Sequence, residues 1–321
     1  MKIITFKDIA DLNVQPLMCF DWAEAMIRSK KEALLPPKIS LKPYDGVFCN
    51  VMPSIIPGSD NTKWGGVKVV TRYPNRVPSL ESRILLMNAD SGEFVALMDG
   101  TWITTMRTGA VAAHSIMLLG KKDFATIGMM GLGNVSRSTL LILADKLRDR
   151  EFYVKLLRYK GQEEDFAERF ASYKNLHFSF VDTAKEMVKG SDVVISGATY
   201  LPNDVCPDEY FDKGVLVQPI HTLGFTNCDL FFDKVFADDL GHVRHFKNFD
   251  KFKQFAEVCD VVNGNKPGRE NDDERILAYN IGVSVHDIYF AVAIYHMMQE
   301  RGILDSLNEI DMNDPTEKFW V

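Results

Sequence analysis

The feature that most constrains this chain is a glycine-rich turn, Thr126-Ile-Gly-Met-Met-Gly131-Leu-Gly133-Asn-Val-Ser136, at the head of a long strand–helix alternation. Phe124–Met130 reads as an apolar strand and Ser136–Arg148 as a helix. Strand Phe152–Arg158, helix Glu163–Phe170, strand His177–Val181 and a short helix Ala184–Val188 follow. Asp192–Ser196, Val215–Ile220 and Lys234–Ala237 are continuous apolar runs. Strands without internal alternation are buried on both faces, the mark of a parallel sheet covered by helices. Two long helices, Val243–Val258 and Val283–Arg301, complete the pattern; Ile288, Ala291, Val292, Tyr295 and Met298 recur at helical spacing and predict core or subunit packing. The fold class is α/β, with a Rossmann-type doubly wound parallel sheet.

The turn itself has a chemical reading. Its first glycine permits a tight turn, its second lets backbone approach a pyrophosphate, and the third position needs a small residue, here Ser136. The helix that follows offers unpaired N–H groups and a positive dipole end to phosphates. The end of the second strand discriminates cofactors. An acid there binds the ribose 2′-OH of NAD, and a basic residue favours the 2′-phosphate of NADP. The segment is Leu156-Leu-Arg158-Tyr-Lys160-Gly, with no acid before Glu163, so NADP(H) is favoured on Arg158 and Lys160, with NAD(H) as the alternative.

Before residue 107 the rhythm differs. Tyr44–Met52, Gly66–Thr71 and Ser82–Asn88 read as short strands separated by Met52-Pro53, Pro57-Gly58 and Pro74-Asn75 turns. Arg83–Met87 and Glu93–Met98 predict a hairpin across Asn88-Ala-Asp-Ser-Gly92. A helix over Asp21–Leu34 precedes them, and the Ala-rich segment Arg107–Leu119 is helical, capped by Gly120. At 321 residues there is room for about two domains. The net charge of −7 provides no basic field for nucleic acid or an anionic membrane. Five cysteines without a C-x-x-C pair argue against a disulfide framework or a zinc site, so no metal is expected. No apolar run approaches the roughly 18 residues a membrane span needs, and the N-terminus has no signal-peptide core, so a cytoplasmic location is expected.

Ala96-Leu-Met-Asp-Gly-Thr-Trp-Ile-Thr-Thr-Met-Arg107-Thr-Gly-Ala-Val-Ala-Ala, followed about 20 residues later by the glycine turn, resembles the ornithine cyclodeaminase/mu-crystallin family. The resemblance extends through Pro36-Pro-Lys38, Met52-Pro53 and Gly66-Val-Lys68-Val-Val, and through Gly214 to Leu230, Asn280-Ile-Gly282 and Asp287. It implies a nucleotide-binding domain over 116–282. It also implies an α+β substrate-binding and dimerisation domain over 1–115, completed by 283–321, in a homodimer. Family substrates are small α-amino, α-imino or α-keto acids, with hydride moving between the nicotinamide and the α-carbon.

By resemblance, Arg107 holds the substrate carboxylate through two parallel N–H bonds. Lys68 stands beside the reacting carbon, where a neighbouring cation would make it proton-active near neutral pH. Lys38 takes the place of a second carboxylate-binding Arg, keeping the charge without the bidentate fork. Candidate cofactor contacts are Thr108, Gly131, Gly133, Asn134, Val135, Arg158, Lys160 and Thr199. One position departs from the family: ornithine cyclodeaminases carry an Asp in the loop after the fifth strand, where Leu223 stands here. A leucine neither accepts a proton nor pairs with a δ-ammonium, which counts against ornithine. His221, two residues earlier, is a candidate substitute acid/base or a space-filling neighbour of the cofactor.

Three functions follow as expectations. The first is an NAD(P)-dependent oxidoreductase of amino or cyclic imino acids, of ketimine-reductase or amino-acid-dehydrogenase type. The second is ornithine cyclodeaminase, converting ornithine to proline and ammonia. The third is a non-catalytic protein that holds NADPH and a small ligand.

Overall fold

The structure, a computed structural model, describes residues 1–58, 62–198, 201, 203–220, 225 and 230–312. The chain forms two compact units. The first comprises 1–14, 32–103 and 287–321, and the second comprises 15–31 and 104–286. This division falls at 103/104 rather than 115/116, and it assigns the early helix Pro16–Ser29 to the second unit. No helix among the described residues is long and apolar enough to cross a membrane.

The first unit is a six-stranded sheet built from β1 (Lys2–Ile4), β2 (Ile39–Leu41), β3 (Phe48–Pro57), β4 (Lys63–Arg72), β5 (Leu80–Asn88) and β6 (Phe94–Asp99). Their order is β1-β6-β5-β4-β3-β2, antiparallel except for the β1–β6 pair. Alternation decides which face is core: Met52 and Ile56 of β3, Val70 of β4, Ile84 and Leu86 of β5 and Ala96 and Met98 of β6 are buried. The expected β5–β6 hairpin is present. Asn88 Oδ1 accepts from the Asp90 and Ser91 N–H groups, and Gly92 takes φ +80°.

Met52-Pro53 is not a turn but lies inside the ten-residue β3. The N–H of Ile55 pairs outward with Leu34, so Pro53, two residues earlier, also turns its nitrogen outward, past the end of β2. No ladder bond is lost there, which is where a strand tolerates proline. The last helix, Ser284–Glu300, packs from Asp287 onward in this unit. Trp64 of β4 meets His296 edge-on, with ring centroids 5.3 Å apart.

The second unit is an eight-stranded sheet, parallel at every pairing. Its strands are β7 (Thr126–Met130), β8 (Phe152–Leu157), β9 (Leu176–Val181), β10 (Val193–Ser196), β11 (Leu216–Pro219), β12 (Lys234–Ala237), β13 (Phe255–Glu257) and β14 (Ile276–Tyr279). The order β13-β12-β14-β11-β10-β7-β8-β9 reverses direction of growth between β7 and β10, which is the topological switch point where such sheets bind ligands. All four residues of β10, β11, β12 and β14 are buried, and the first three of these strands lie in the uninterrupted runs read from the sequence.

Three expectations are corrected. No long helix spans Val243–Val258. In its place stand a turn of helix Leu240–Val243, a 3-10 turn Phe249–Lys251, strand β13 and the short helix Val258–Val262. The aromatics there, Phe246, Phe249, Phe252 and Phe255, recur every third residue, a spacing that eclipses on 3-10 turns and drifts off an α-helical face. Phe246 packs edge-on against Tyr279, and Phe249 lies 5.0 Å from Phe255 and 5.5 Å from Phe252, all of them on the core of the unit. The helix expected over Asp21–Leu34 starts earlier, at Pro16, and ends at Ser29. The helix expected from Arg107 begins at Thr101, because Asp99 Oδ1 accepts from the Thr101 and Trp102 N–H groups and caps it six residues upstream.

Lys30, at the end of the Pro16–Ser29 helix, fastens that helix to the sheet edge. Its buried ammonium lies 2.7 Å from Asp239 and 2.9 Å from Glu257, beyond β12 and at the end of β13. Breaking such a pair strands buried charge. Lys30→Met is expected to lower unfolding free energy by about 3–5 kcal/mol in urea denaturation. A loss below about 1 kcal/mol would show that the pair is screened like a surface contact.

Candidate active-site residues

The glycine turn adopts the conformation its sequence demands. Gly131 closes β7 at φ +73°, and a Cβ there would fall 2.3 Å from the Ala198 nitrogen, so both conformation and space require glycine. Ser136 Oγ donates to the Gly131 carbonyl at 2.6 Å and locks the turn to the following helix. Gly133 is the N-cap of the helix Asn134–Lys146, with no side chain capping its N–H groups. Nothing lies within 4 Å of the Cβ position of Gly133. Open space over a bare helix start, at the C-terminal end of the first strand beside the switch point, fits a pyrophosphate. Asn134 and Val135 are the first two residues of that helix.

Arg158 directly follows β8, half exposed, as a 2′-phosphate ligand would be. It is engaged by three carboxylates: Glu163 at 3.1 Å, Glu164 at 3.2 Å and Asp182 at 3.3 Å. Glu163 is distant in sequence from the strand end but not in space. Its buried carboxylate folds back to accept from the Tyr159 N–H at 3.2 Å. An acid therefore does stand at the end of β8, where the linear sequence offered none. Lys160 takes φ +55°, with its ammonium 5.0 Å from the Tyr159 ring centroid.

Arg107 is 4% exposed, inside the helix Thr101–Leu119. Its guanidinium lies against the main chain at Gly282, where a Cβ would come within 2.4 Å of one terminal nitrogen and 3.0 Å of the other. Gly282 takes φ +77°, and its N–H donates to Asp238 Oδ2 at 3.0 Å. Asp238 also accepts from the Asn280 amide at 2.5 Å, and that amide accepts from Gln218 Nε2. Burial raises the Asp238 carboxyl from its ordinary value, against the pull of those two donors and of the Arg107 and Lys30 charges. Thr108 is buried, its hydroxyl donating back to the Thr104 carbonyl at 2.6 Å. The same helix meets the glycine-turn helix closely: a Cβ on Gly109 would collide with Ser138 Oγ at 2.2 Å.

Lys68 is 1% exposed on β4, an interior strand, across from Met52 and Ile84. Its ammonium lies 2.6 Å from Asp287 Oδ2, and Asp287 is fully buried in the first turn of the last helix. Within its unit the charge set beside Lys68 is thus an anion, where the sequence reading had invoked a cation. Lys38 is half-buried immediately before β2. Thr199, His221 and Leu223 lie outside the described residues. Asp287 and Gly282 belong to segments already noted for their resemblance, but nothing in the sequence connects them to Lys68 and Arg107. Among the described residues, one set of metal-type ligands clusters, Glu257, Cys259 and Asp260. Both Lys30 and Lys31 sit on Glu257 at 2.9 Å, which disfavours a cation.

Comparison with known proteins gives this arrangement its context. The model of the ornithine cyclodeaminase/mu-crystallin family matches residues 3–302. The chain belongs to that family. It is 24% identical over 322 residues to the nodulation efficiency protein NfeD of Rhizobium meliloti, covering 94% of this chain and 97% of that protein. It is 26% identical over 279 residues to a Delta(1)-pyrroline-2-carboxylate reductase of Bacillus cereus, covering 79% and 82%. The fold matches a structure of Thermococcus litoralis Delta(1)-pyrroline-2-carboxylate reductase in complex with NADH and L-proline. That match has a TM-score of 0.82 and 23% identity, and covers 97% of this chain and all of that one.

Two imidazoles of the second unit, His114 and His286, are buried. Burial pushes His286 down to about 3, with Arg107, His114 and Lys30 adding repulsion. Burial likewise pushes His114 down to about 4, helped by Arg28 and Lys146 and opposed by Glu24. The unfolded chain protonates both near pH 6.5, so between there and the folded values it binds more protons than the native state. Stability therefore falls as pH drops below about 6.5, by up to about 1.4 kcal/mol per pH unit for each histidine. Urea midpoints measured from pH 7 to pH 5 are expected to fall, and less steeply in His286→Asn. Parallel profiles for the variant and the parent would contradict the assignment.

Proposed function

We propose that this chain is an NAD(P)-dependent oxidoreductase that moves hydride between the nicotinamide and the α-carbon of a small amino acid or cyclic imino acid. The observation that carries the reading is the buried Arg107 guanidinium, seated on Gly282 in the same compact unit as the open glycine turn. A buried fork of N–H donors is the group that recognises a carboxylate bidentately. The named activity of the Bacillus cereus relative, and the ligands NADH and L-proline in the Thermococcus litoralis structure, support this substrate class.

Dinucleotide binding is assigned to the second unit, through Gly131, Gly133, Asn134 and Val135. When bound, the cofactor supplies the hydride. Arg107, with Lys38, holds the carboxylate and so fixes the α-carbon. Lys68 gives its proton to the imine nitrogen in the reductive direction and takes one from the amine in the oxidative direction. Arg158 and Lys160 favour NADP(H). Glu164 and Asp182, two of the three carboxylates on Arg158, are surface groups that yield to a phosphate. Glu163, buried at the strand end, favours NAD(H), so the preference is decided between it and Arg158. The first unit is assigned proton handling and dimerisation. Its edge strand β2 leaves Ile39 and Leu41 more than half exposed, an apolar edge that a second copy would cover.

The test offers purified protein Delta(1)-pyrroline-2-carboxylate or Delta(1)-piperideine-2-carboxylate with NADPH and, separately, NADH. In parallel, ornithine is supplied with the oxidised cofactors and ammonia is assayed. Imine-dependent oxidation of the cofactor without ammonia release is expected, and Arg107→Met is expected to lower kcat/KM by about 100-fold or more. Ammonia release from ornithine would favour cyclodeaminase, and silence on every substrate would leave a binding protein.

A further inference from the structure

We propose that Asp287 is the positioning residue for Lys68, holding its ammonium in place and balancing its charge while the proton moves; this rests on the function proposed above. The juxtaposition is specific. Lys68 Nζ and Asp287 Oδ2 are 2.6 Å apart, with the side chains 1% and 0% exposed. The backbone is shaped to bring them together. Gly66, two residues before Lys68 on the same strand, has no room for a Cβ: it would lie 2.8 Å from Ile288 Cδ1 and 2.4 Å from the Leu85 carbonyl. Glycine there lets the start of the last helix settle on β4, which carries Asp287, the residue before Ile288, over Lys68. Its register partners on the two adjoining strands, Met52 and Ile84, are apolar.

Removing an ammonium and a carboxylate from water is costly, and an apolar pair of similar volume would avoid that cost. A buried ammonium without an anion tends to shed its proton, whereas one beside a carboxylate keeps it. The pair therefore keeps a proton available in surroundings that would otherwise strip it. In the reductive direction an N–H bond of Lys68 breaks and one forms on the imine nitrogen. The positive charge passes from Nζ to the substrate, and the hydride then adds to the carbon. With Asp287 2.6 Å from Nζ, positive charge that passes to the substrate nitrogen arises beside a carboxylate. The neutral Lys68 amine recovers its proton from water once product has left.

Three variants decide the matter. Asp287→Asn keeps the shape without the charge and is expected to lower kcat on the order of 100-fold, with KM for Delta(1)-pyrroline-2-carboxylate and affinity for the reduced cofactor within about threefold. Asp287→Glu, which keeps the charge, is expected to recover most of that loss. If Asp287→Asn does not fold, Asp287→Ser is measured the same way. Independently of turnover, thermal melting of Lys68→Met, Asp287→Leu and the double variant is expected to be strongly non-additive, the double variant being more stable than either single one. Additive melting effects, or an undiminished kcat in Asp287→Asn from a protein whose parent reduces the imine, would overturn this proposal alone. No imine reduction by the parent protein would instead overturn the function on which it rests.

Discussion

The second unit depends on a short row of hydrogen bonds at the C-terminal ends of three adjacent strands. Gln218 in β11, Asn280 after β14 and Asp238 after β12 are buried and linked side chain to side chain. Buried polar groups are tolerable only when paired, and once paired they admit few alternatives. Here the pairing fixes direction as well as position. Both oxygens of Asp238 accept, one from the Asn280 amide and one from the Gly282 N–H, so the Asn280 amide presents its N–H₂ to Asp238 and its oxygen to Gln218. The second oxygen of Asp238 takes the Gly282 N–H, which holds the left-handed turn at Gly282 and opens the space that Arg107 fills. A side chain at residue 107 is thus placed by residues more than a hundred positions away.

That distance explains what the sequence did and did not disclose. The alternation from residue 124 onward, the glycine turn and the Asn88–Gly92 hairpin were legible because each is a local pattern: a period, a φ requirement, a turn residue. Strand β14 was not. Its four residues, Ile276–Tyr279, are too few to show a period, and it enters the sheet between β11 and β12, out of chain order. The stretch after Leu240 misled for a related reason, since hydrophobic content there is aromatic and spaced by three, which suits a cluster of turns rather than one helix. Lys68 and Arg107 were singled out by resemblance alone. The groups that give them their environments, Asp287 and Gly282, act through space. Glu163 shows the same limit, since it reaches the end of β8 only because its helix turns back.

The chain treats its cations in three distinct ways, and the differences carry functional meaning. Lys30 is shared between Asp239 and Glu257 and serves to pin a helix. Arg158 is held loosely by carboxylates that are mostly exposed, so its partners are exchangeable. Lys68 and Arg107 are almost fully buried, one beside the Asp287 carboxylate and the other against the main chain at Gly282. Burying a cation costs more than burying an apolar residue of similar volume, so a buried Lys68 and Arg107 call for a reason beyond packing. Sites kept against stability are where function is expected.

In the proposed reaction, hydride passes between the nicotinamide and the α-carbon of an imino acid. Reduction of Delta(1)-pyrroline-2-carboxylate with cofactor deuterated at the nicotinamide C4, on the face the enzyme uses, tests it directly by mass spectrometry and NMR of the product. Proline carrying a single deuterium on its α-carbon is expected, from one of the two C4 epimers of the cofactor and not the other. Proline without deuterium, deuterium at any other carbon, or equal transfer from both epimers would contradict it.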